Sequence, residues 1–185
     1  MTCGGVLLTG GTSSRMGTDK ATLVVRGQTL ARRAAAVLAR VCDPVIEVGP
    51  GVAGLPAVRE DPPGSGPLAA LVAGSEALET NGPVVLLACD MPFVEDTIVR
   101  LLAEWPGSGT VLPLVDGMAQ YTCARYGPVA LAAAARALQS GSTSLRAVVT
   151  AECEYLDEST WETIVPANTF VDVDTWDDLD RLGLS

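Results

Sequence analysis

The chain has 185 residues, of which 48% are hydrophobic and 18% are charged, and its formal net charge is −10. This length predicts one domain over residues 1–185 that buries roughly 70% of its unfolded surface, and the composition excludes a disordered protein. Because an acidic chain offers no broad basic face to a phosphate backbone, we expect no nucleic acid partner.

Residue usage excludes several further classes. The five cysteines are widely spaced without a CxxC pair, so we expect neither a zinc site nor a disulfide framework, and a reducing cytoplasm fits best. The chain has no histidine, which removes Ser-His-Asp and Cys-His nucleophile pairs and any imidazole base. No apolar run approaches the ~18 residues of a membrane span, and no basic signal segment is visible. We therefore expect no membrane partner.

Charge is distributed unevenly along the chain. Residues 1–40 carry six of the twelve bases against a single acid, whereas residues 151–185 carry ten acids against one base. The basic N-terminal segment predicts a site for a small phosphorylated ligand. Lys20 is the only lysine, which indicates a position that needs a compact, mobile ammonium rather than a planar guanidinium.

In chain order, short apolar runs alternate with Ala- and Leu-rich helical patterns. Strands are predicted at 6–8, 44–48, 57–59, 84–89, 110–114, 120–125, 153–156 and 170–173. Helices are predicted at 30–41, 68–78, 96–105, 129–139 and 144–149, and a last helix is predicted to open with the capping-box-like pair Thr175 and Asp178. The alternation predicts an α/β fold, a three-layer α/β/α sandwich with a mostly parallel sheet. Ligands bind such sheets at the carboxyl ends of strands, where the loop 10–20 and Asp90 both fall.

The loop after the first strand has the chemistry of a phosphate cradle. Residues 8–20 read Leu-Thr-Gly-Gly-Thr-Ser-Ser-Arg-Met-Gly-Thr-Asp-Lys, which fits neither the Walker loop nor the dinucleotide fingerprint. The adjacent Gly10 and Gly11 let backbone N–H groups approach an anion, Ser13 can donate a hydroxyl hydrogen bond, and Arg15 and Lys20 add positive charge. The alternative is a tight strand-to-helix turn with exposed basic residues.

This segment resembles the signature Leu-x-Gly-Gly-x-Ser-x-Arg-Met-Gly-x-Asp-Lys of the MobA family of molybdenum cofactor guanylyltransferases and of their sugar-phosphate relatives. Further blocks match in order and cover nearly the whole chain: Glu60-Asp61 with Gly66-Pro67-Leu68, Ala88-Cys89-Asp90-Met91-Pro92, and a closing block at 172–175. The resemblance implies the Rossmann-like nucleotide-diphospho-sugar transferase fold.

The resemblance also implies an activity and a set of site residues. In such an enzyme the terminal phosphate of molybdopterin attacks the α-phosphorus of GTP, and pyrophosphate leaves. The nucleotide would be bound by Leu8, Thr9, Gly10, Gly11, Ser13, Lys20, Asp61 and Asp90, with Arg15, Lys20 and Asp90 as catalytic residues and Asp90 as the Mg²⁺ ligand. GTP and molybdopterin would be the substrates, with transient contacts to cofactor-synthesis proteins or molybdoenzymes.

Two of these acids can also be weighed from the residues alone. Asp90 directly follows a buried apolar run and precedes a proline by two residues, which favours a functional carboxylate at a strand end over an acid that caps a turn. Asp61 precedes Pro-Pro-Gly, where an ordinary turn residue is an equally good interpretation.

The closing block departs from the resembled family. Guanylyltransferases usually read Asn-x-Asn-Thr there, whereas this chain has Asp172 and Asp174 at the proposed acceptor site. Two carboxylates would repel a phosphorylated pterin, unless a second Mg²⁺ held by Asp90 and one of them removed the repulsion. Alternatively, Asp172 is a strand-end residue and Asp174 a helix-flanking acid. The family's Asn after the second strand is also replaced, by Gly49-Pro50-Gly51.

Three rival functions stay open at this point. Leu8-Thr9-Gly10-Gly11 and Cys89-Asp90-Met91-Pro92 favour guanine over the cytosine-using relatives, which tend to read Thr-Ala-Ala-Gly and Gly-Asp-Gln-Pro. The rivals are a cytidylyltransferase for the same pterin, an enzyme that activates a sugar or another small-molecule phosphate, and a non-catalytic GTP-binding accessory protein. Pyrophosphate release separates the enzymes from the binding protein.

Overall fold

The computed structural model describes residues 3–10, 18–150 and 152–184. Its strands are β1 (Gly4–Leu8), β2 (Val24–Val25), β3 (Gln28–Thr29), β4 (Val45–Val48), β5 (Ala57–Val58), β6 (Val84–Ala88), β7 (Val111–Val115), β8 (Met118–Ala119), β9 (Cys123–Tyr126) and β10 (Glu154–Leu156). Its α-helices are α1 (Leu30–Ala39), α2 (Pro67–Ala77), α3 (Asp96–Ala103), α4 (Pro128–Gln139), α5 (Glu158–Trp161) and α6 (Trp176–Arg181). Short 3-10 helices occupy Lys20–Thr22, Leu145–Val148 and Ala167–Phe170.

The central sheet has the strand order β10-β7-β9-β6-β1-β4-β5, and β8 pairs with β7. β1 lies between β4 and β6 and runs parallel to both, while β9 runs antiparallel to β6 and β7. The prediction of a mostly parallel sheet is confirmed. The register aligns Leu8 with Val48 on one side and with Ala88 on the other. The carboxyl ends of the three central strands therefore meet at one edge, which we call the carboxyl edge.

Helices cover both faces of this sheet, as the three-layer prediction requires. α1 and α3 pack on one face around a core that includes Leu7, Leu38 and Ile98, whereas α2 and α4 pack on the other face. α2 approaches the sheet very closely at Gly74, where a Cβ would lie 2.7 Å from a methyl carbon of Val6. Only glycine fits that contact without a shift of the helix.

A third, smaller core joins the N-terminal hairpin to the end of the chain. The hairpin β2–β3 supplies Leu23 and Val25, and the C-terminal segment supplies Val173, Leu179 and Leu184. α6 begins with the capping box predicted at Thr175: the Thr175 hydroxyl accepts from the Asp178 N–H, and the Asp178 carboxylate accepts from the Thr175 N–H. Because Val173 is anchored in this core, its neighbours Asp172 and Asp174 are held at the carboxyl edge.

The structure corrects several sequence-based element boundaries. The predicted strand at 170–173 is wrong: a 3-10 helix ends at Phe170, and the residues after it have no regular structure. Val173 is buried in the third core and Phe170 packs against Trp161, whereas Val171 is only partly buried, so these residues join no sheet. The helix predicted at 144–149 is a 3-10 helix at Leu145–Val148. Of the strand predicted at 120–125, only residues 123–125 belong to a strand, β9, and residues 120–122 connect β8 to β9. Among the described residues, no helix combines the length and the apolar character needed to cross a bilayer.

Candidate active site

The loops after the three central strands are hydrogen-bonded to one another. The Thr9 N–H, just beyond β1, donates to the Val48 carbonyl at 3.1 Å, and the Cys89 N–H, just beyond β6, donates to the Leu8 carbonyl at 3.1 Å. These bonds extend the sheet by one residue, so the segments that follow diverge from a common point. In parallel α/β sheets this is where a ligand cavity forms.

A cavity of about 360 Å³ opens at this edge. Several residues that the sequence predicted for the site line it, namely Leu8, Thr9, Gly10, Lys20 and Asp90. Other lining residues come from the ends of β4 and β6, from the loop after β5 and from the start of α2, including Val48, Ala88, Glu60, Gly66 and Pro67. Its size is within the usual range of small-molecule sites. The predicted residues Gly11, Ser13 and Arg15 lie outside the described residues.

Lys20 joins two acids at the mouth of this cavity. Its Nζ contacts Asp174 Oδ1 and lies 3.7 Å from Asp90 Oδ2. The Lys20 side chain is only 18% exposed, and Asp19 holds the backbone around it by accepting from the Ala21 N–H at 3.0 Å. The single lysine of the chain is therefore held between a carboxylate from β6 and one from the C-terminal segment.

The electrostatics of Asp90 reflect this position. Burial raises the pKa of the Asp90 carboxyl above its usual range, and the Lys20 ammonium opposes that shift. The neighbouring Asp172 and Asp174 raise the Asp90 pKa further. Three carboxylates thus share one region with a single ammonium close to two of them, an arrangement that favours additional positive charge.

The C-terminal segment is attached to the carboxyl edge by its backbone. The Val173 N–H donates to the Asp90 carbonyl at 2.9 Å, and the Val173 side chain is fully buried. Consecutive residues of an extended segment point to opposite sides, so burial of Val173 leaves Asp172 exposed and Asp174 partly exposed. The structure brings Asp174 to Lys20, two residues before α6 begins.

Two site residues were not anticipated from the sequence. Glu60, rather than its neighbour Asp61, lines the cavity, and its Oε1 accepts from the Gly64 N–H at 2.9 Å. Asp61 is exposed and is not among the lining residues, so its assignment to the nucleotide remains a prediction. Glu47 is a fully buried acid in β4 whose carboxylate accepts from the Thr9 hydroxyl. An acid within the apolar run Val45-Ile46-Glu47-Val48 was the available signal.

Within ranges 3–10, 18–150 and 152–184, no group of three or more His, Cys, Asp or Glu side chains is arranged to hold a metal ion by itself.

The mostly parallel sheet, the cavity at its carboxyl edge and the lysine between two acids define an α/β protein with a candidate small-molecule site. Comparison with known proteins narrows this class. The chain belongs to the MobA-like NTP transferase family, whose domain model matches residues 5–157. The resemblance seen in the sequence is thereby confirmed.

Individual relatives cover most of the chain. A probable molybdenum cofactor guanylyltransferase of Chloroflexus aggregans is 33% identical over 194 residues, covering 97% of this chain and 92% of the relative. A protein of Opitutus terrae with the same name is 37% identical over 157 residues, covering 80% and 77%. The crystal structure of molybdopterin-guanine dinucleotide biosynthesis protein A from Archaeoglobus fulgidus superposes with a TM-score of 0.75 at 21% identity, covering 96% and 95%. This last likeness supports the predicted fold.

Proposed function

We propose that the protein transfers GMP from GTP to the terminal phosphate of molybdopterin, giving the guanine dinucleotide cofactor and pyrophosphate. The observation that carries the proposal is the Lys20 ammonium held beside Asp90 and Asp174 at the mouth of the cavity. Membership of the MobA-like family and the names of relatives at 33% and 37% identity support the substrates.

The chemistry that this reaction requires matches the residues available. An oxygen of the pterin phosphate attacks the α-phosphorus of GTP, the bond from that phosphorus to the bridging oxygen breaks, and pyrophosphate leaves with the electron pair. A phosphate monoester is already a nucleophile, so the absence of histidine is no obstacle. Catalysis then consists of positioning the two phosphates and neutralising their charge.

Each residue of the site has a role in this scheme. Leu8, Thr9 and Gly10 line the cavity and would bind the nucleotide mainly through their backbone. Lys20 would leave its carboxylate partners to neutralise the triphosphate and the departing pyrophosphate. Gly11, Ser13 and Arg15, on the same loop, are proposed to surround the β- and γ-phosphates. Asp61 remains assigned to the nucleotide site.

Magnesium is proposed as the cofactor, with Asp90 as its ligand. The donor set fits the ion, because Asp90 is a partly buried carboxylate next to Asp172 and Asp174, and Mg²⁺ binds through one or two carboxylates together with substrate phosphates and water. When bound, Mg²⁺ would supply Lewis-acid stabilisation of the phosphate oxygens. Asp174 is the second carboxylate in reach of this region.

Asp172 and Asp174 are proposed to face the acceptor. Because acids repel a phosphorylated pterin, the hypothesis of a second Mg²⁺ shared by Asp90 and Asp174 stands as part of the proposal. A substrate complex with one Mg²⁺ that contacts neither Asp172 nor Asp174 would contradict it.

We also propose a cytoplasmic location for the protein. All five cysteines are free thiols, the state that a reducing compartment maintains.

Pyrophosphate release tests the proposal. The purified protein is incubated with Mg²⁺ and molybdopterin, and GTP, CTP, ATP and UTP are compared. Release with GTP alone is expected, together with loss of release in Asp90→Ala. Release with CTP would assign the sister activity, and no release with any nucleotide despite GTP binding would indicate another acceptor or a binding protein.

A further inference from the structure

A buried carboxylate stands directly behind the wall of the cavity. The Glu47 side chain is fully buried at the end of β4. Its Oε1 accepts from the Thr9 hydroxyl at 2.5 Å and from the N–H groups of Gly51 and Val52, both at 2.9 Å. Its Oε2 accepts from the Ala53 N–H at 2.8 Å. Hydrogen bonds to an ionised acceptor are strong in a dry environment, and they make burial of this charge tolerable.

These bonds fold the loop after β4 back against the start of the phosphate loop. The Thr9 and Gly10 N–H groups both donate to the Val48 carbonyl, at 3.1 and 3.4 Å. Gly49 lies so close that a Cβ there would be 2.2 Å from Thr9 Oγ1 and 2.8 Å from the Gly10 nitrogen. Glu47 therefore holds Thr9 through its hydroxyl and holds Gly49 in place through the residues that follow it.

Glu47 itself does not line the cavity, whereas Thr9, Gly10 and Val48 do. The carboxylate thus acts on the cavity only through the residues that it orders. In addition, the Thr9 hydroxyl proton is committed to Glu47, so the orientation of this side chain is fixed before a ligand arrives.

We propose that Glu47 is a positioning residue for nucleotide binding: it pre-forms the Thr9–Gly10 wall on which the nucleotide lies. The inference needs only the nucleotide-binding half of the proposed function. A pre-formed wall lowers the cost of ordering the site on binding. Because the wall contacts the nucleotide equally before and during the reaction, Glu47 affects binding and leaves the chemical step almost unchanged.

The test compares nucleotide affinity with turnover in Glu47→Gln. Glutamine keeps the size but turns one acceptor oxygen into an NH2 group that faces hydrogen-bond donors. The Kd for GTP, measured by calorimetry without acceptor, should rise about tenfold or more, and the KM should rise in parallel while kcat stays within about twofold. Thr9→Val, which removes the donated hydroxyl, should raise the Kd similarly, and Thr9→Ser should recover most of the lost affinity.

Arg125→Lys is the matched control. Arg125 is equally buried but donates to backbone carbonyls beyond the end of α3, away from the cavity. This variant should be less stable than the wild type and bind GTP with an unchanged Kd. An unchanged Kd in Glu47→Gln, or an equal rise in Arg125→Lys, would overturn the inference. A wild type that binds GTP but releases no pyrophosphate would contradict the proposed reaction alone, since the ratio of Kd values could still be measured.

Discussion

Two fully buried charged side chains, Glu47 and Arg125, are both stabilised by hydrogen bonds to backbone groups, but they lie at opposite ends of the central sheet. Each is satisfied largely by backbone groups: Glu47 accepts three N–H bonds, and the Arg125 guanidinium donates to the carbonyls of Leu102, Trp105 and Gly107. Burial lowers the Arg125 pKa. Thr9, which Glu47 holds through its hydroxyl, lines an open cavity, whereas Arg125 holds the segment that follows the packed helix α3.

The register explains why the two charges have different consequences. Arg125 is paired with Val85, near the amino end of β6, and its guanidinium holds the carbonyls of Trp105 and Gly107 in the segment after α3. Glu47 is paired with Leu7, one residue before β1 ends at the carboxyl edge. We therefore expect a buried charge to support function only where the residues that it orders line the cavity, as Thr9 does. Substitutions at the carboxyl edge should therefore cost activity, and those near Arg125 should cost stability.

The largest expected effect is on turnover at the carboxyl edge. Lys20→Ala should lower the rate of pyrophosphate release by about 10² to 10³-fold, because one preorganised positive charge is lost from the transition state. The thermal midpoint at neutral pH should fall modestly, because ionised Asp90 loses the ammonium that offsets its burial. Arg136→Ala, which removes an exposed base from α4, is the charge-matched control and should keep the wild-type rate. An unchanged rate in Lys20→Ala would contradict the claim that residues at the carboxyl edge carry the activity.

The second largest effect is expected on the free energy of unfolding, at Arg125. Arg125→Met should lower the free energy of unfolding by about 3 kcal/mol, since the Trp105 and Gly107 carbonyls would lose their charged donor. The rate of pyrophosphate release per folded molecule should be retained. Urea unfolding measures the change, and the same substitution at the exposed Arg100 of α3 should cost under about 1 kcal/mol. Equal losses at the two arginines would contradict the structural role of Arg125.

A smaller loss is expected where the C-terminal segment is fixed. Thr175→Ala removes the hydroxyl that accepts from the Asp178 N–H at 3.2 Å, and it should cost about 1 kcal/mol of stability. Thr175→Ser keeps the cap and should restore the wild-type midpoint in urea. If alanine were tolerated as well as serine, the capping box would not hold the segment that carries Asp174.

The smallest effect has the opposite sign. Burial raises the Asp90 pKa above its ordinary value of 3.8, so the folded state binds this proton more tightly than the unfolded state does. Ionised Asp90 therefore costs stability, and this cost appears as the pH rises through the range between the two pKa values. In metal-free buffer, Asp90→Asn should have a higher thermal midpoint than the wild type at pH 7. The advantage should shrink as the pH is lowered towards 4, and a lower midpoint at pH 7 would contradict the assignment.

Features decided by local sequence pattern could be predicted, whereas features decided by tertiary contacts could not. Lys20 and Asp90 were predictable as neighbours, because residues that follow adjacent parallel strands meet at one edge. The capping box at Thr175 was equally readable, since it depends on four consecutive residues. The strand predicted at 170–173 is wrong because tertiary contacts distant in sequence bury its apolar residues separately: Val173 packs near the hairpin, and Phe170 packs against Trp161.

The role of Glu47 shows a second limit. Glu47 accepts hydrogen bonds from the backbone N–H groups of Gly51, Val52 and Ala53, and the side chains of these loop residues do not indicate such bonds in the sequence. Only the presence of an acid in an apolar strand was visible. Likewise, Glu60 and Asp61 are adjacent acids, and the choice of which one faces the cavity is made by the local backbone.

Labelled GTP tests the central claim most directly. With wild-type protein, Mg²⁺ and molybdopterin, label placed in the α-phosphate of GTP should appear in a pterin product whose mass is that of the guanine dinucleotide. Label placed in the γ-phosphate should appear only in pyrophosphate. Transfer of the γ-label to the pterin, or a wild type that leaves both labels in GTP, would contradict GMP transfer.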